Sequence, residues 1–157
     1  MAPVTIRQAT PKDLPALLAF EQGVVATERP FDETLKPGTI HYYDLEAMLQ
    51  ADDVYLAVAL IDGEIVGSGY ARIEESKPYL KHPHHAYLGF MYVRPEHRGK
   101  GINAQIINEL KNWSHSNGIT ELRLDVYHQN EAAIRAYEKV GFSKLLVNMR
   151  KGIDDNA

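Results

Sequence analysis

Short apolar runs of strand length recur along the first two thirds of the chain. Val4 to Arg7 predicts a first strand. The runs Val54 to Ile61 and Glu64 to Ile73 are joined by Asp62-Gly63, the dipeptide most typical of a tight β-hairpin. Ala86 to Val93 is a further apolar run and predicts a fourth strand. The pattern therefore predicts an antiparallel hairpin with strands on either side of it.

Helical spacing appears between the first strand and the hairpin. Thr10 is predicted to cap a helix that begins at Pro11. His41 to Gln50 predicts a short second helix. The intervening segment from Thr27 to Thr39 contains prolines and a glycine, and it is predicted to be a loop.

After the fourth strand the chain alternates between helix and strand. The helix that follows it is predicted to stop at Gly118, and Glu121 to Tyr127 predicts another strand. A helix over Asn130 to Val140 is expected to end at Gly141, and Lys144 to Arg150 to form a last strand. The fold class predicted is a single-domain α/β fold, with a mixed, mostly antiparallel sheet and helices on both faces.

The segment between the fourth strand and its helix is the strongest chemical signal. This glycine turn, Arg94 to Gly101, carries three basic residues against one acidic residue, and it delivers the chain into a helix N-terminus. Gly99 and Gly101 leave the backbone open to a ligand, and the first N–H groups of the helix attract negative charge. The turn therefore predicts a phosphate-binding site.

Other interpretations of the glycine turn remain open on spacing alone. It could be a tight connector that needs glycine only for its dihedral angles. Gly99-x-Gly101-x-x-Ala104 satisfies the loose dinucleotide fingerprint, but Arg-Pro-Glu-His-Arg intervenes between Val93 and the first glycine. A Walker-type loop is excluded, because no Gly-Lys-Ser/Thr stands at the required spacing.

Two motifs together resemble a known family. Arg98-x-x-Gly101-x-Asn103 is similar to the pyrophosphate loop of the GNAT superfamily of acyl-CoA-dependent N-acetyltransferases, with Asn103 where glycine or alanine is usual. Further along, Asn130-x-x-Ala133-Ile134-x-x-Tyr137-x-x-x-Gly141-Phe142 resembles the last helix of that family and the turn after it. The resemblance is strong over residues 86 to 142, and it implies one N-acetyltransferase domain over residues 1 to 157.

The resemblance implies that the cosubstrate is acetyl-CoA. Its pantetheine arm would pair with the backbone of the fourth strand, where an N–H near Met91 would stabilise the oxyanion of the tetrahedral intermediate. The hydroxyl of Tyr137 would lie near the sulfur and help the thiolate to leave, and Asn130 would bind the arm as well as cap its helix. The cofactor-binding residues implied are Met91, Tyr92, Val93, Arg98, Gly99, Lys100, Gly101, Ile102, Asn103, Asn130, Ala133 and Tyr137.

A general base for an amine acceptor is harder to identify. Many family members carry a carboxylate on the strand before the cofactor loop, but Leu88, Gly89 and Phe90 occupy that stretch. Substitutes within sequence reach are His84, His85, Glu74, Glu75, Asp125 and His128. The extended spacing of the histidines at 82, 84 and 85, without a nearby carboxylate ligand, argues against a metal site.

Composition narrows the remaining classes. The 157 residues are 45% hydrophobic and 24% charged, as in a compact globular domain. The absence of cysteine excludes disulfides and thiolate catalysis. A net charge of -4 argues against nucleic acid as the main ligand. With no apolar run long enough to span a membrane and no signal sequence, a cytoplasmic location is expected.

The family resemblance places the acceptor pocket between about residues 27 to 40 and 74 to 85. The first segment holds Glu28, Asp32 and Glu33, against Arg29 and Lys36. The acidic excess favours a cationic amine, and Arg29 could equally bind a carboxylate of the acceptor. The function predicted is acetyl transfer from acetyl-CoA to a primary amine, on a small molecule or a protein. A non-catalytic acyl-CoA sensor and a dinucleotide-binding module are the alternatives, and a homodimer is among the open oligomeric states.

Overall fold

The computed structural model describes residues 2–154. The described chain forms two compact units that divide after Tyr127. The first unit contains a five-stranded sheet in the order β1-β2-β3-β4-β5. Its strands are β1 (Val4–Gln8), β2 (Val54–Ile61), β3 (Glu64–Glu75), β4 (His84–Val93) and β5 (Leu122–Arg123). The helices are α1 (Leu14–Glu28), α2 (Leu45–Gln50) and α3 (Ile102–Ser116) in the first unit and α4 (Glu131–Lys139) in the second.

Strand pairing follows the predicted hairpin. The first four strands are antiparallel to their neighbours, whereas β4 and β5 run parallel. Asp62 and Gly63 have φ values of 50° and 78°, the left-handed pair that a two-residue hairpin turn requires. The mixed, mostly antiparallel sheet is thus confirmed.

Helices cover both faces of this sheet. Leu17, Phe20 and Val24 of α1 join one buried cluster with residues of β2 and with Phe90 of β4. On the other face, Ile106 of α3 packs so closely on β3 that a Cβ atom at Gly69 would lie 2.8 Å from it. The predicted arrangement of helices on both faces is therefore confirmed for the first unit.

The second helix is shorter than predicted at its N-terminal end. Asp44 caps α2 by accepting a hydrogen bond from the Ala47 N–H at 3.1 Å. The N–H groups of Tyr42 and Tyr43 bind the Glu21 carboxylate instead of entering a helix. A side chain twenty residues away in sequence thus decides where α2 begins, and local periodicity could not show this.

The first loop is also shorter than predicted, because α1 continues to Glu28 and a 3₁₀ turn follows over Arg29–Phe31. Pro30 fits that turn because its first residues need no N–H partner. The loop proper therefore begins at Asp32.

The prediction of a last strand over residues 144 to 150 was wrong for this structure. No strand is assigned there, and no backbone hydrogen bond joins residues 143–150 to another described residue. Leu145, Leu146, Val147 and Met149 are 69–87% exposed. An alternating apolar pattern favours a β-strand, but a strand forms only where the edge of another strand can hydrogen-bond to its backbone.

Among residues 2–154, no helix has both the length and the apolar character needed to cross a lipid bilayer.

Candidate active site

The two parallel strands of the sheet part soon after they meet. Ala86 pairs with Leu122 and Tyr87 with Arg123, and the register goes no further. Beyond this point the backbone of β4 has no partner strand on that side, although the Tyr87 hydroxyl still reaches Asp125 at 3.2 Å. The predicted strand from Glu121 to Tyr127 is therefore paired only at its start, and the gap exposes backbone donors and acceptors that an extended ligand could bind.

A β-bulge lies where β4 lines this gap. The β3–β4 register passes from Ser68 opposite Tyr92 to Tyr70 opposite Gly89, which leaves two β4 residues against one β3 residue. Phe90, the first of the two, has a φ of 55°, and its carbonyl accepts a hydrogen bond from the buried Ser68 hydroxyl at 3.0 Å. The bulge turns the local main chain away from the regular ladder.

The second bulge residue, Met91, directs its side chain away from the α1 face. A Cβ atom at Gly69 would lie 2.7 Å from the Met91 sulfur and 2.8 Å from Ile106 of α3. The sulfur is therefore packed under α3, and only the main chain of Met91 is left to act in the gap.

The glycine turn joins the end of β4 to α3. Gly99 and Gly101 have φ values of 77° and 80°, and a Cβ atom at either position would meet no atom within 4 Å. Glycine is needed there for the left-handed backbone, and the open space leaves the main chain accessible. Gly101 also precedes the first residue of α3, so the turn and the helix N-terminus form a surface suited to a polyphosphate.

The basic residues of the turn divide into supporting and exposed side chains. Arg98 donates from Nε to the Val93 carbonyl at 2.8 Å, and its guanidinium lies 5.5 Å from the centre of the Tyr92 ring. Arg94 donates to the Ile65 carbonyl at 2.9 Å. Lys100 is exposed. The two arginines therefore stiffen the turn while adding positive charge to it.

The second unit carries the other residues that the resemblance selects. Asn130 caps α4 by accepting a hydrogen bond from the Ala133 N–H at 3.2 Å. Tyr137 is half-buried, and its ring meets the Phe142 ring edge-on at 5.8 Å. Gly141 has a φ of 104° and ends the helix as predicted.

A buried carboxylate holds the segment that leads into α2. Glu21 is completely buried and accepts hydrogen bonds from the N–H groups of Tyr42 at 2.8 Å and Tyr43 at 2.9 Å. Its other oxygen lies 2.7 Å from Nδ1 of His41. These three partners compensate for the burial of the Glu21 carboxylate. The same contacts fix Tyr42 and Tyr43 over the sheet.

Those tyrosines wall a groove of about 420 Å³ between α2 and the sheet. The Tyr43 ring lies 4.8 Å from the ring of Phe90, at the bulge, and 5.8 Å from that of Tyr70. On the floor, Arg72 lies 5.7 Å from the centre of the Tyr87 ring. The groove is therefore mainly aromatic, and the guanidinium of Arg72 also lines it.

The α1–α2 loop, residues 29–44, is fastened to the chain that follows β5. The Tyr127 hydroxyl donates to Asp32 at 3.1 Å, and the Tyr127 ring stacks on Phe31 at 6.0 Å. The Arg29 guanidinium donates to the carbonyls of Lys36 and Gly38. These contacts hold the first part of the loop, residues 29–38.

Tyrosine hydroxyls near the groove are poor acids. Burial is the main cause that raises the pKa of Tyr87, and burial with the hydrogen bond to Asp32 raises the pKa of Tyr127 to about 12. These phenols remain protonated at neutral pH, so they donate hydrogen bonds and do not serve as bases.

Most of the predicted base candidates lie far along β4 from the bulge or are already engaged. Glu75 is opposite His84 and Glu74 opposite His85, at the start of β4. At about 3.3 Å per residue, that end of the strand is on the order of 20 Å from Met91. Glu74 also binds Arg72 and lies 3.5 Å from Nε2 of His85.

The remaining polar candidates differ in their surroundings. Asp125 accepts the Tyr87 hydroxyl, and His128 is exposed at the start of the second unit. His82 lies 3.9 Å from Glu121. Within residues 2–154, no three histidine, aspartate or glutamate side chains are grouped so as to hold a metal ion.

Glu28, which was not among those base candidates, lies in a more unusual environment. Glu28 ends α1 and is half-buried, and burial is the main cause that raises the pKa of its carboxyl. Sequence alone placed Glu28 only within an acidic loop. The signal that singles it out is the proximity of Tyr42 and Asp32, which depends on the tertiary fold.

Relatives of known name have similar sequences and structures. The chain is 29% identical over 143 residues to an aminoglycoside N(6')-acetyltransferase type 1 of Stenotrophomonas maltophilia, covering 89% of this chain and 86% of that protein. It is 41% identical over 58 residues to the uncharacterized N-acetyltransferase YobR of Bacillus subtilis, which is 37% of this chain but only 24% of that protein. A predicted acetyltransferase of Clostridium acetobutylicum, solved with acetyl-CoA, has a TM-score of 0.73 at 18% identity, with 96% of each chain covered.

The family comparison covers most of the chain. The model of the acetyltransferase (GNAT) family matches residues 21–142, a stretch that includes the bulge, the glycine turn and α4. This chain therefore belongs to the acetyltransferase (GNAT) family and is an N-acetyltransferase that uses acetyl-CoA.

Proposed function

We propose that this enzyme transfers the acetyl group of acetyl-CoA directly to a primary amine of a small cationic molecule. The observation that carries the proposal is the parting of β4 and β5 beside an open glycine turn. That arrangement supplies main-chain partners for an extended amide-containing arm and an anion site at one end of it.

The unpaired edge of β4 would hold the pantetheine arm. Met91, Tyr92 and Val93 lie beyond the point where β4 and β5 part. A Met91 N–H aimed at the thioester oxygen would stabilise the charge that develops in the tetrahedral intermediate, which is the most productive use of a preorganised donor. The pyrophosphate would then meet the turn residues Arg98, Gly99, Lys100, Gly101, Ile102 and Asn103.

The family resemblance gives residues of α4 their own roles toward the cosubstrate. We assign Tyr137 to the leaving sulfur, with Asn130 and Ala133 along the arm. A thiol pKa near 8.5 and a phenol pKa near 10 differ by about 1.5 units, so transfer of the phenol proton costs roughly 2 kcal/mol in water-like surroundings. A hydrogen bond from the phenol to the thiolate is therefore as useful as full protonation.

The acceptor class is inferred from the α1–α2 side of the sheet. The groove walled by Tyr42 and Tyr43 is aromatic, and Glu28 interacts with Tyr42 and with Asp32. Aromatic faces and carboxylates both favour cations. The aminoglycosides that give the Stenotrophomonas relative its name are amines of this class. An amine on a protein is the second acceptor that this chemistry would accept.

Release of CoA thiol in the presence of an amine tests the proposal. Because the chain has no cysteine, every thiol that a dye detects comes from CoA. The panel is an aminoglycoside with a 6'-amine, a polyamine, an amino acid and a peptide. We expect amine-dependent thiol release with at least one of them.

Two other outcomes would point elsewhere. Tight acetyl-CoA binding with no turnover on any amine would identify a sensor. Acetyl-CoA at a hundred times its Kd should add about 2.7 kcal/mol to the free energy of unfolding, and greater stabilisation by NAD would identify a dinucleotide module.

A further inference from the structure

The acid group at the end of α1 has no counter-ion of its own. Among the described residues, Glu28 makes no ion pair with lysine, arginine or histidine. The neighbouring cation, Arg29, instead donates to the carbonyls of Lys36 and Gly38. Glu28 also lies in the last turn of its helix, where the macrodipole disfavours a negative charge. Burial of an unpaired carboxylate at this position costs free energy, and a bound cation would offset that cost.

A second polar group, the Tyr42 hydroxyl, lies beside this carboxylate and interacts with it. The Tyr42 hydroxyl oxygen is buried and makes no hydrogen bond of ordinary geometry. The Glu28 carboxylate is nevertheless near enough to raise the pKa of that phenol. Buried polar groups are almost always partnered, so an exception calls for an explanation. An ammonium group, with three donors and a positive charge, would satisfy both oxygens.

The sheet places this pair near the proposed reaction centre. Tyr127 lies four residues beyond Arg123, where β5 ends, on the part of the chain that has separated from β4. Phe31 and Asp32, just after Glu28, are fastened to Tyr127, and Tyr43 beside Tyr42 packs on Phe90 of the bulge. Residues close to Glu28 thus contact both the chain that follows β5 and the bulge of β4.

We propose that Glu28 binds the acceptor ammonium group and takes the proton that the amine must lose before it attacks. This inference rests on the proposed function. An alkylamine with a pKa near 10.4 is neutral in only about one molecule in 2,500 at pH 7, so the reaction needs a proton acceptor next to the nitrogen. The aromatic rings of Tyr42, Tyr43 and Tyr127 would keep water from competing for that position.

The proton and bond changes balance without another reactant. The ammonium group gives one proton to the Glu28 carboxylate, which later passes it to water. The nitrogen lone pair forms the new bond to the acetyl carbon, and the carbon–sulfur bond breaks. The second proton on nitrogen goes to the leaving sulfur, so the products are the amide, the CoA thiol and one released proton.

Several groups face Glu28 and would set its titration. Asp32 lies on the loop that follows α1, Tyr42 and Tyr43 precede α2, and Tyr127 follows β5. Burial raises the pKa of the Glu28 carboxyl, the Tyr42 hydroxyl offsets part of the rise, and the Asp32 charge adds to it. A base with a pKa raised toward neutrality is well matched to this proton transfer.

The test uses Glu28→Gln with the amine that the wild type acetylates fastest in the panel above. We expect kcat/KM for the amine to fall by about 10² to 10⁴ at pH 7, with an unchanged Kd for acetyl-CoA. The remaining activity should rise about tenfold per pH unit up to the pKa of the amine, because only its neutral fraction then reacts. The wild type should level off at a lower pH. Glu33→Gln, an exposed change on the same loop, should leave both profiles unaltered.

Other outcomes separate this inference from the proposed function. Wild-type turnover with a Glu28→Gln enzyme within twofold at every pH would overturn the role of Glu28 and leave acetyl transfer intact. No wild-type turnover on any amine would remove the function and this role with it. If Glu28→Gln does not fold, Glu28→Asp decides the matter, since a shorter acid should keep the pH profile of the wild type at a reduced kcat/KM.

Discussion

The two sides of the gap between β4 and β5 are built by different means. On the proposed cosubstrate side, the distinctive features belong to the main chain: a bulge at Phe90, an unpaired strand edge and left-handed glycines at 99 and 101. On the α1–α2 side they belong to side chains, with Glu21 holding two tyrosines and Glu28 placed beside them. The first side needs a short stretch of sequence, whereas the second brings together parts of the chain that are distant in sequence.

Because of this difference, we expect the two sides to respond differently to substitution. Backbone donors in a turn tolerate substitutions at many neighbouring positions, provided that the glycines remain. A side-chain pocket changes its preference with each substitution, and loops carried by a rigid sheet are where such changes are best tolerated. Variants on the two sides should therefore affect different kinetic constants.

Tyr137→Phe should have the largest effect that distinguishes catalysis from binding. Loss of the phenol removes assistance to the leaving sulfur, and we expect kcat to fall by about 10² to 10⁴, as is typical when acid-base assistance is lost. The Kd for acetyl-CoA should stay near the wild-type value. Stopped-flow thiol release and calorimetry measure the two quantities.

The matched control is Tyr79→Phe, because Tyr79 is 81% exposed. It should leave kcat unchanged. A Tyr137→Phe enzyme with full activity would remove the phenol from the mechanism and leave protonation of the sulfur to water.

Gly101→Val should come next in size and act on the cosubstrate side alone. A β-branched side chain would project from the main chain where the pyrophosphate approaches, and we expect the Kd for acetyl-CoA to rise at least tenfold. The same change also strains a φ of 80°. Strain and obstruction must therefore be separated.

Gly118→Val separates them, because Gly118 has a φ of 78° and the same open surroundings but lies after α3. Both variants should lose a similar part of the free energy of unfolding, and only Gly101→Val should lose affinity. Equal affinities by calorimetry would show that the glycine turn is a connector.

Glu21→Gln should act on the acceptor side alone and more mildly. The amide keeps the shape of the carboxylate but weakens charge-assisted hydrogen bonds to two backbone N–H groups, each of a kind that contributes about 1.5–3 kcal/mol. The tyrosines would move, so KM for the amine should rise severalfold while the Kd for acetyl-CoA stays constant. Glu46→Gln, an exposed change on α2, is the control. An increase confined to the Kd for acetyl-CoA would contradict the division between the two sides.

The sequence predicted the elements around the glycine turn well because their determinants are local. The hairpin, the strand before the glycine turn and the helix after it depend on residues close together in the chain, and the structure confirmed these elements. The start of α2 depends on Glu21, and the environment of Glu28 depends on Tyr42, contacts that no local pattern encodes. The prediction of a strand after α4 was wrong because an apolar pattern does not show which strand edge, if any, is available to pair with it.

The ion pair between Arg7 and Asp13 should give the smallest effect and belong to neither side. Arg7 donates two hydrogen bonds to Asp13, at 2.7 and 3.0 Å, and this is the main cause that lowers the pKa of the Asp13 carboxyl. A lowered pKa contributes stability that is fully present above the unfolded pKa of about 3.9 and is lost as pH falls through the folded value. Asp13→Asn should therefore reduce the free energy of unfolding at pH 7, and with it Tm. The loss should be about 1 kcal/mol or less because the Arg7 side chain is 39% exposed, and the difference from the wild type should vanish in acid. Thermal melts from pH 7 to 2 measure this, and a difference that persists at pH 2 would show that packing, and not charge, joins the two residues. Neither the Kd for acetyl-CoA nor KM for the amine should change, because the pair stabilises the link from β1 to α1 and reaches neither side of the gap.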